Sequence, residues 1–264
     1  MHSALIGHSG FVGSSLLRQR PFEHLYRSAD IGNIDGGEFD TVVCAGAPAQ
    51  KWIANREPEA DRANLESLIG HLSTVRCKRF VLISTVDVFL DSRGVDEDTV
   101  VDEGGLHAYG RHRRILERFV EDHFPDRLIV RLPGLVGPGL RKNVIFDFLN
   151  ENNLHSIESR GVFQFYPTVN LWFDIELALR ERLRLVHLTA APISVAEVAR
   201  QGFGREFTQT LSGSPAAYDM QSRHAGLFGG VGRYQYGIRE TLQAIRAYAQ
   251  SEPMTIAHKD QVPK

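Results

Sequence analysis

The stretch GHSGFVG, residues 7–13, sets glycines three apart between an apolar run and a helical segment. In that context a first glycine permits a tight turn, a second lets backbone approach a pyrophosphate, and a third allows a helix to pack closely on a strand. The helix N-terminus adds amides and partial positive charge. The pattern therefore points to a dinucleotide held along Gly7, Ser9, Gly10, Phe11, Val12 and Gly13. The residue about 20 positions past the first glycine distinguishes the two nicotinamide dinucleotides, because an acid there accepts from ribose hydroxyls while an arginine accommodates a 2′-phosphate. Here it is Arg27, followed by Ser28, with Asp30 lying past the expected strand end. NADP is favoured and NAD remains open.

A second group of reactive residues lies in HAYGRHRR, where Arg113 follows Tyr109 by four positions and so shares its helical face. A phenol that exchanges a proton near neutrality must have its ordinary pKa of about 10 lowered by about three units, which takes roughly 4 kcal/mol. One positive charge about 4 Å away, at an effective dielectric of about 20, supplies on the order of that amount. A guanidinium is longer and wider than an ammonium, so geometry constrains it more than charge does.

The elements that must hold these groups follow from the apolar pattern. SALIG, FVGSSLLRQ, HLY, TVVCAGA, PEADRANLESLIGHLSTV and RFVLIST alternate short apolar runs with longer periodic ones, the sign of βα units and a parallel sheet. YGRHRRILERFVEDHF continues as a helix and RLIVRLPGLVG as a strand running into a Pro/Gly turn. The dozen residues between Arg27 and Asp40 are too few for a full crossover, so that unit is expected to be abbreviated. The reading is an α/β, Rossmann-type doubly wound parallel sheet over residues 1–139. A small C-terminal α/β substrate lobe, interleaved with the last strands, follows over 140–249, and a loose tail over 250–264. Within the lobe, VIFDFLN and FDIELALRERL read as helices and RLVHLT as a strand. ISVAEVARQGF reads as a helix capped by Ser194.

Composition narrows the partners. Thirty Lys and Arg against 32 Asp and Glu give a net charge of -2 and no global field for nucleic acid or an anionic membrane. Two cysteines, Cys44 and Cys77, suit free thiols in a reducing compartment. An apolar strand begins almost at Met1, and the most apolar run, RFVLISTVDVFL, is short and polar at Ser84, Thr85 and Asp87, so cytoplasm is expected. The eleven histidines show no HExxH or Cys/His spacing, and no metal is expected.

GHSGFVG, CAGA, STVDVF, YGRHR and RLPGLVGPG stand in an order and spacing that resemble the extended short-chain dehydrogenase/reductases, which include nucleotide-sugar epimerases, dehydratases and keto-sugar reductases. PISVAEVARQGFG extends the likeness more loosely. The resemblance implies that Ala45, Gly46 and Ala47 contact cofactor, that Thr85 and Tyr109 are the catalytic Ser/Thr and tyrosine, and that Arg113 stands where the family has lysine. It implies that Pro133 packs near the nicotinamide and that Arg141 and Asn143 lie where such enzymes contact the sugar or its diphosphate. Asp87, two residues after Thr85, matches an acid that dehydratases use to remove a proton, or else caps the strand; Val86 replaces the acid that dehydratases often carry before it. Lys51 and Trp52 follow CAGAPAQ on an expected loop over the cofactor, where a surface lysine and a packed tryptophan are the ordinary reading.

The function implied is NADP(H)-dependent oxidation or reduction of a keto or hydroxyl group on a nucleotide-linked sugar, most simply by a keto-sugar reductase. An epimerase or dehydratase with tightly held cofactor is the enzymatic alternative. A cofactor-binding sensor or subunit with weak catalysis is the alternative that Arg113 keeps open. A homodimer is common in the resembling family.

Overall fold

The computed structural model describes residues 2–254. Six strands, β1 (Ser3–Ile6), β2 (His24–Tyr26), β3 (Glu38–Cys44), β4 (Arg76–Thr85), β6 (Arg127–Leu132) and β10 (Leu185–His187), form one parallel sheet in the order β10-β6-β4-β3-β1-β2. The short β5 (Arg93–Val95), β7 (Gly134–Val136), β8 (Val162–Phe163) and β9 (Phe165–Pro167) fall outside it, as do β11 (Ile193–Ser194) and β12 (Asp219–Met220).

Alternation along the strands decides which helices cover which face. Ala4, Ile6, Val42, Cys44, Phe80 and Leu82 point to one side, where Leu65, Leu68 and Leu72 of α3 (Pro58–Leu72) and Leu116 and Val120 of α4 (Ala108–His123) bury them. Leu5, Val43, Val81, Leu128 and Val130 point to the other, against Leu16 of α1 (Phe11–Gln19) and Leu171, Ile175 and Ala178 of α6 (Leu171–Arg180). A sheet covered on both faces needs apolar residues at both phases of the strand, which is why these strands read as continuous apolar runs.

The chain leaves β1 toward β2 on one side and returns to β3 on the other, pairing Ala4 with both His24 and Val42. Strand order reverses there, which opens a crevice at the carboxyl ends of β1 and β3. Between β2 and β3 stands only a single 3-10 turn, Ile31–Ile34, with Ile34 fully buried, so β2 is the edge of the sheet.

The remaining chain builds a lobe over that end. β7 pairs with β9, β8 with β11 and β5 with β12. Phe148 and Ile145 of α5 (Val144–Asn150) join Leu242 and Ile245 of α8 (Ile238–Ser251) in a third apolar cluster. β10 and α6 come from beyond residue 139 yet belong to the sheet layer, so the sheet draws on both sides of that position. The helix read from ISVAEVARQGF spans its pattern but changes its winding: Ser194 accepts from the Glu197 amide as cap of α7 (Val195–Glu197), after which Val198–Gly202 widens into π turns. Gly202 there lies directly against Ile245 of α8. α8 carries regular structure to Ser251, and residues 255–264 of the expected tail lie outside the described residues. Both cysteines are free, and among the described residues no helix is long and apolar enough to cross a membrane.

Candidate active site

The three glycines of the first turn do different things. Gly7 has φ +82°, and a Cβ there would fall 2.4 Å from the Ala45 carbonyl oxygen; one on Gly13 would fall 2.0 Å from the Gly7 oxygen. Internal packing alone demands both glycines. Gly10 is exposed, and its nearest neighbour to a Cβ is the Gly7 oxygen at 3.4 Å, ordinary contact. Its bare backbone leaves a cradle on the outer side, at the uncapped N-terminus of α1, beside exposed Ser9 and half-buried Phe11 and Val12. A pyrophosphate fits such a place: free first-turn amides, a favourable dipole and no side chain in the way. Ala45, Gly46 and Ala47 leave β3 close alongside, with the Ala45 amide bonded to the Ile6 oxygen and Gly46 against Ile6.

Arg27 and Ser28 are exposed just past β2. The turn brings Asp30 back to them: its carboxylate accepts from the Arg27 amide at 2.6 Å and lies 3.4 Å from the Arg27 side chain. An acid and a base thus stand together, although in the sequence Asp30 lies past the strand end.

Thr85 ends β4 and caps a 3-10 turn over Val86–Val88, its hydroxyl accepting from the Asp87 amide at 3.2 Å. α4 starts close by because Gly110 has no side chain; a Cβ there would fall 2.1 Å from the Asp87 carbonyl oxygen. His107 caps α4, its Nδ1 accepting from the Gly110 amide, and Asn55 accepts from the Tyr109 amide. These contacts set Tyr109 beside Thr85, whose hydroxyl favours the ionised phenol. Burial holds the Tyr109 phenol above its usual pKa despite the attraction of Arg113; Asp87 pushes the same way, while the Thr85 hydroxyl and Lys51 oppose it.

Arg113 departs from the expectation of a cation free to serve the phenol. Its guanidinium carbon lies over the Tyr109 ring, 4.0 Å from the centroid, and the side chain is 3% exposed. It donates to the Asp61 carboxylate and to the Pro48 and Tyr109 carbonyls, and Asp61 also pairs with His112 at 2.7 Å. The planar fork of an arginine matches a carboxylate and a carbonyl at once, and burial makes the counter-charge obligatory.

Lys51 is also not the solvated surface lysine of the ordinary reading. It begins α2 (Lys51–Arg56) with its ammonium 2.6 Å from Asp87 Oδ1 and 3.1 Å from the Tyr218 hydroxyl, which itself donates to Asp87 at 3.1 Å. Burial opposes its charge, but Asp87 and Tyr218 outweigh that and hold its pKa above the usual lysine value. Trp52, expected to be packed, is 63% exposed with Arg56 over its ring. Asn143 is committed to structure: Oδ1 caps α5 by accepting from the Ile145 and Phe146 amides, and Nδ2 donates to the Leu135 carbonyl. A substrate contact from its side chain would have to displace that cap. Arg141 is exposed beside it, and Lys142 reaches the Ala49 carbonyl. Pro133 is buried between β6 and β7.

The turn, Ala45–Ala47, Thr85, Asp87, Tyr109 and Arg113 therefore meet at the carboxyl end of the sheet. Asp61, His107, Gly110 and Tyr218 complete the site without having been singled out for it, and Lys51, set over the cofactor but read as a surface lysine, joins them. Gly110 had a local signal in following Tyr109 directly; Tyr218 had none, being 131 residues from its partner Asp87. Spacing also gave no hint of His2, Glu23 and His24, which the start of the β1–β2 pair gathers with ligand atoms within 4.8 Å of one another, at the opposite end of the sheet from the site.

No family model and no curated protein matches the sequence. Solved structures do resemble it, at 95% coverage of this chain. A dTDP-4-dehydrorhamnose reductase of Clostridium acetobutylicum matches with 16% identity and TM-score 0.72 over 99% of its own length. MoeE5, solved with UDP-glucose and NAD, matches with 18% and 0.70 over 99%, and a UDP-glucose 4-epimerase of Thermotoga maritima with 13% and 0.70 over 98%. What the chain shares with all three, over almost its whole length, is the fold of the extended short-chain dehydrogenase/reductases.

Proposed function

We propose that the protein is an NAD(P)(H)-dependent oxidoreductase of nucleotide-linked sugars, and specifically a keto-sugar reductase. The observation that carries this is the Tyr109–Thr85 pair set beside the open cradle of Gly10 at the switch point of the sheet. The bound dinucleotide would supply hydride. Tyr109 would give its proton to the forming carbinol oxygen, Thr85 would hold that oxygen by its hydroxyl, and the stacked Arg113 would fix the ring. A high phenol pKa suits a group that must begin protonated, as reduction requires. Asp87 argues for reduction over dehydration, because its carboxylate is already engaged by Lys51 and Tyr218 and is no free base. That the neighbours include a reductase and proteins solved with UDP-sugars supports the substrate class.

Arg27 makes NADP(H) the preferred cofactor. Its pairing with Asp30 is a surface one, worth about 1 kcal/mol or less, so exchanging it for a 2′-phosphate costs little. The test combines cofactor fluorescence titrations with turnover of 4-keto nucleotide sugars. Expected are about tenfold tighter binding of NADPH than NADH, lost in Arg27→Ala, and no binding in Gly10→Val. Tyr109→Phe should cut turnover by about 100-fold or more while cofactor affinity holds. Normal turnover by Tyr109→Phe would refute the catalytic reading; cofactor binding without turnover of any keto sugar would favour a sensor or subunit.

A further inference from the structure

The geometry points to Lys51, rather than Arg113, as the cation on which proton exchange at Tyr109 depends, with Lys51 acting as a positioning residue through Asp87. This deepens the proposed function and rests on its assignment of Tyr109.

Two positive side chains border the phenol, and their surroundings differ. Arg113 is the stronger direct attraction on the phenol, but its charge is answered at contact by Asp61 inside a cluster closed to water, which fixes it in place. Lys51 stands on the open side, 38% exposed, at the start of a different helix. Its partner Asp87 is the anion that bears directly on the phenol, joined to Thr85 through its amide and lying 3.5 Å from the Thr85 hydroxyl by its carboxylate. An uncompensated carboxylate there would bind the Tyr109 proton more tightly and pull the Thr85 hydroxyl toward itself. Lys51 cancels that charge and holds the carboxylate from the far side. Tyr218 adds a third bond from the lobe, so the arrangement is complete only when lobe and sheet are together.

Among the described residues, the charged and titratable groups facing this centre besides Lys51 are few enough to name. α4 contributes Tyr109 and Arg113 and its cap His107; the 3-10 turn after β4 contributes Asp87; the lobe contributes Tyr218; and the segment before α5 contributes Lys142. Burial lowers the pKa of His107 and Lys51 repels its proton, so His107 does not add a second charge at neutral pH. Of the two lysines, Lys51 is the one in contact with Asp87, while Lys142 donates to a carbonyl.

The test follows Tyr109 itself and needs neither substrate nor cofactor. In the full chain with ring-labelled tyrosine, the Tyr109 Cζ resonance, assigned by its loss in Tyr109→Phe, is followed by NMR as pH rises, with circular dichroism reporting the fold. Lys51→Met should lower the ionised fraction at a given pH by about tenfold. Lys51→Arg should restore it, and Lys51→Met with Asp87→Asn should return it toward the unsubstituted chain. Removing the other pair together, Asp61→Asn with Arg113→Leu, should move it less than Lys51→Met does. The inference fails if Lys51→Met leaves the titration in place, if the Arg113 pair moves it more, or if the phenol of the unsubstituted chain does not titrate before unfolding. Because the signal is read without turnover, a failed search for a keto-sugar substrate leaves this result intact and counts against the proposed function alone.

Discussion

The polar groups on the inner face of α4 and those at the rim of its first turn are built from similar residues and behave differently. On the inner face, Asp61 holds Arg113 and His112, and one turn farther Glu117 holds Arg131 at 2.7 Å with Ser84 and His187 around them. Every one of these groups is buried. At the rim, Lys51, Asp87 and Tyr218 make equally short contacts, but the lysine is 38% exposed and the aspartate 16%. A sealed pair that loses a member leaves a charge that water cannot reach, whereas a rim pair can be resolvated. Sealed charges therefore set geometry, and rim charges are the ones chemistry can adjust.

Removing a sealed partner tests this contrast most severely. Asp61→Ala should strand Arg113 and His112 and lower stability by about 3–5 kcal/mol in chemical denaturation. A loss below about 1 kcal/mol would mean the inner face is open to water after all. Acid should act next. Burial, with Arg131 whose N–H faces Nε2, lowers the pKa of His187 to about 4, outweighing Glu97 and the Gln221 carbonyl at Nδ1. Its unfolded value of about 6.5 is higher, so between those two the unfolded chain binds more protons and stability falls as pH drops through that window. The loss is on the order of 3 kcal/mol by pH 4, and His187→Asn should flatten it; identical urea midpoints against pH in both proteins would remove His187 from the account. The smallest change is expected at the rim, where Asp87→Asn should shift stability by about 1 kcal/mol or less. A shift as large as that of Asp61→Ala would erase the distinction between the two regions.

Local rules made much of the fold legible. The period of the apolar residues located the strands and helices, the shortage of residues after Arg27 foretold the single turn at Ile31–Ile34, and Ser194 caps where its spacing indicated. Gly7 and Gly13 sit where the fingerprint required, and Tyr109 and Arg113 meet as positions four apart on a helix must. The length of the helix in ISVAEVARQGF is legible too, but its π winding over Val198–Gly202, where Gly202 lies against Ile245, is not, because apolar period does not distinguish the two windings.

By itself, then, the sequence determined which segments are strands, turns and helices, where backbone can approach a phosphate, and that a phenol and a guanidinium share one helical face, since all of these depend on residues within a turn or two of each other. Tertiary structure alone decided what the charges do. Arg113 meets Asp61 across 52 positions, and Lys51 meets Asp87 across 36 and Tyr218 across 167. The strength of a charge depends on its distance from other charges and from water, and both are set by packing rather than by order along the chain. The same arginine that could have served the phenol as a free cation is, once buried, bound to a carboxylate, while a lysine with no motif of its own takes the half-buried place beside Asp87.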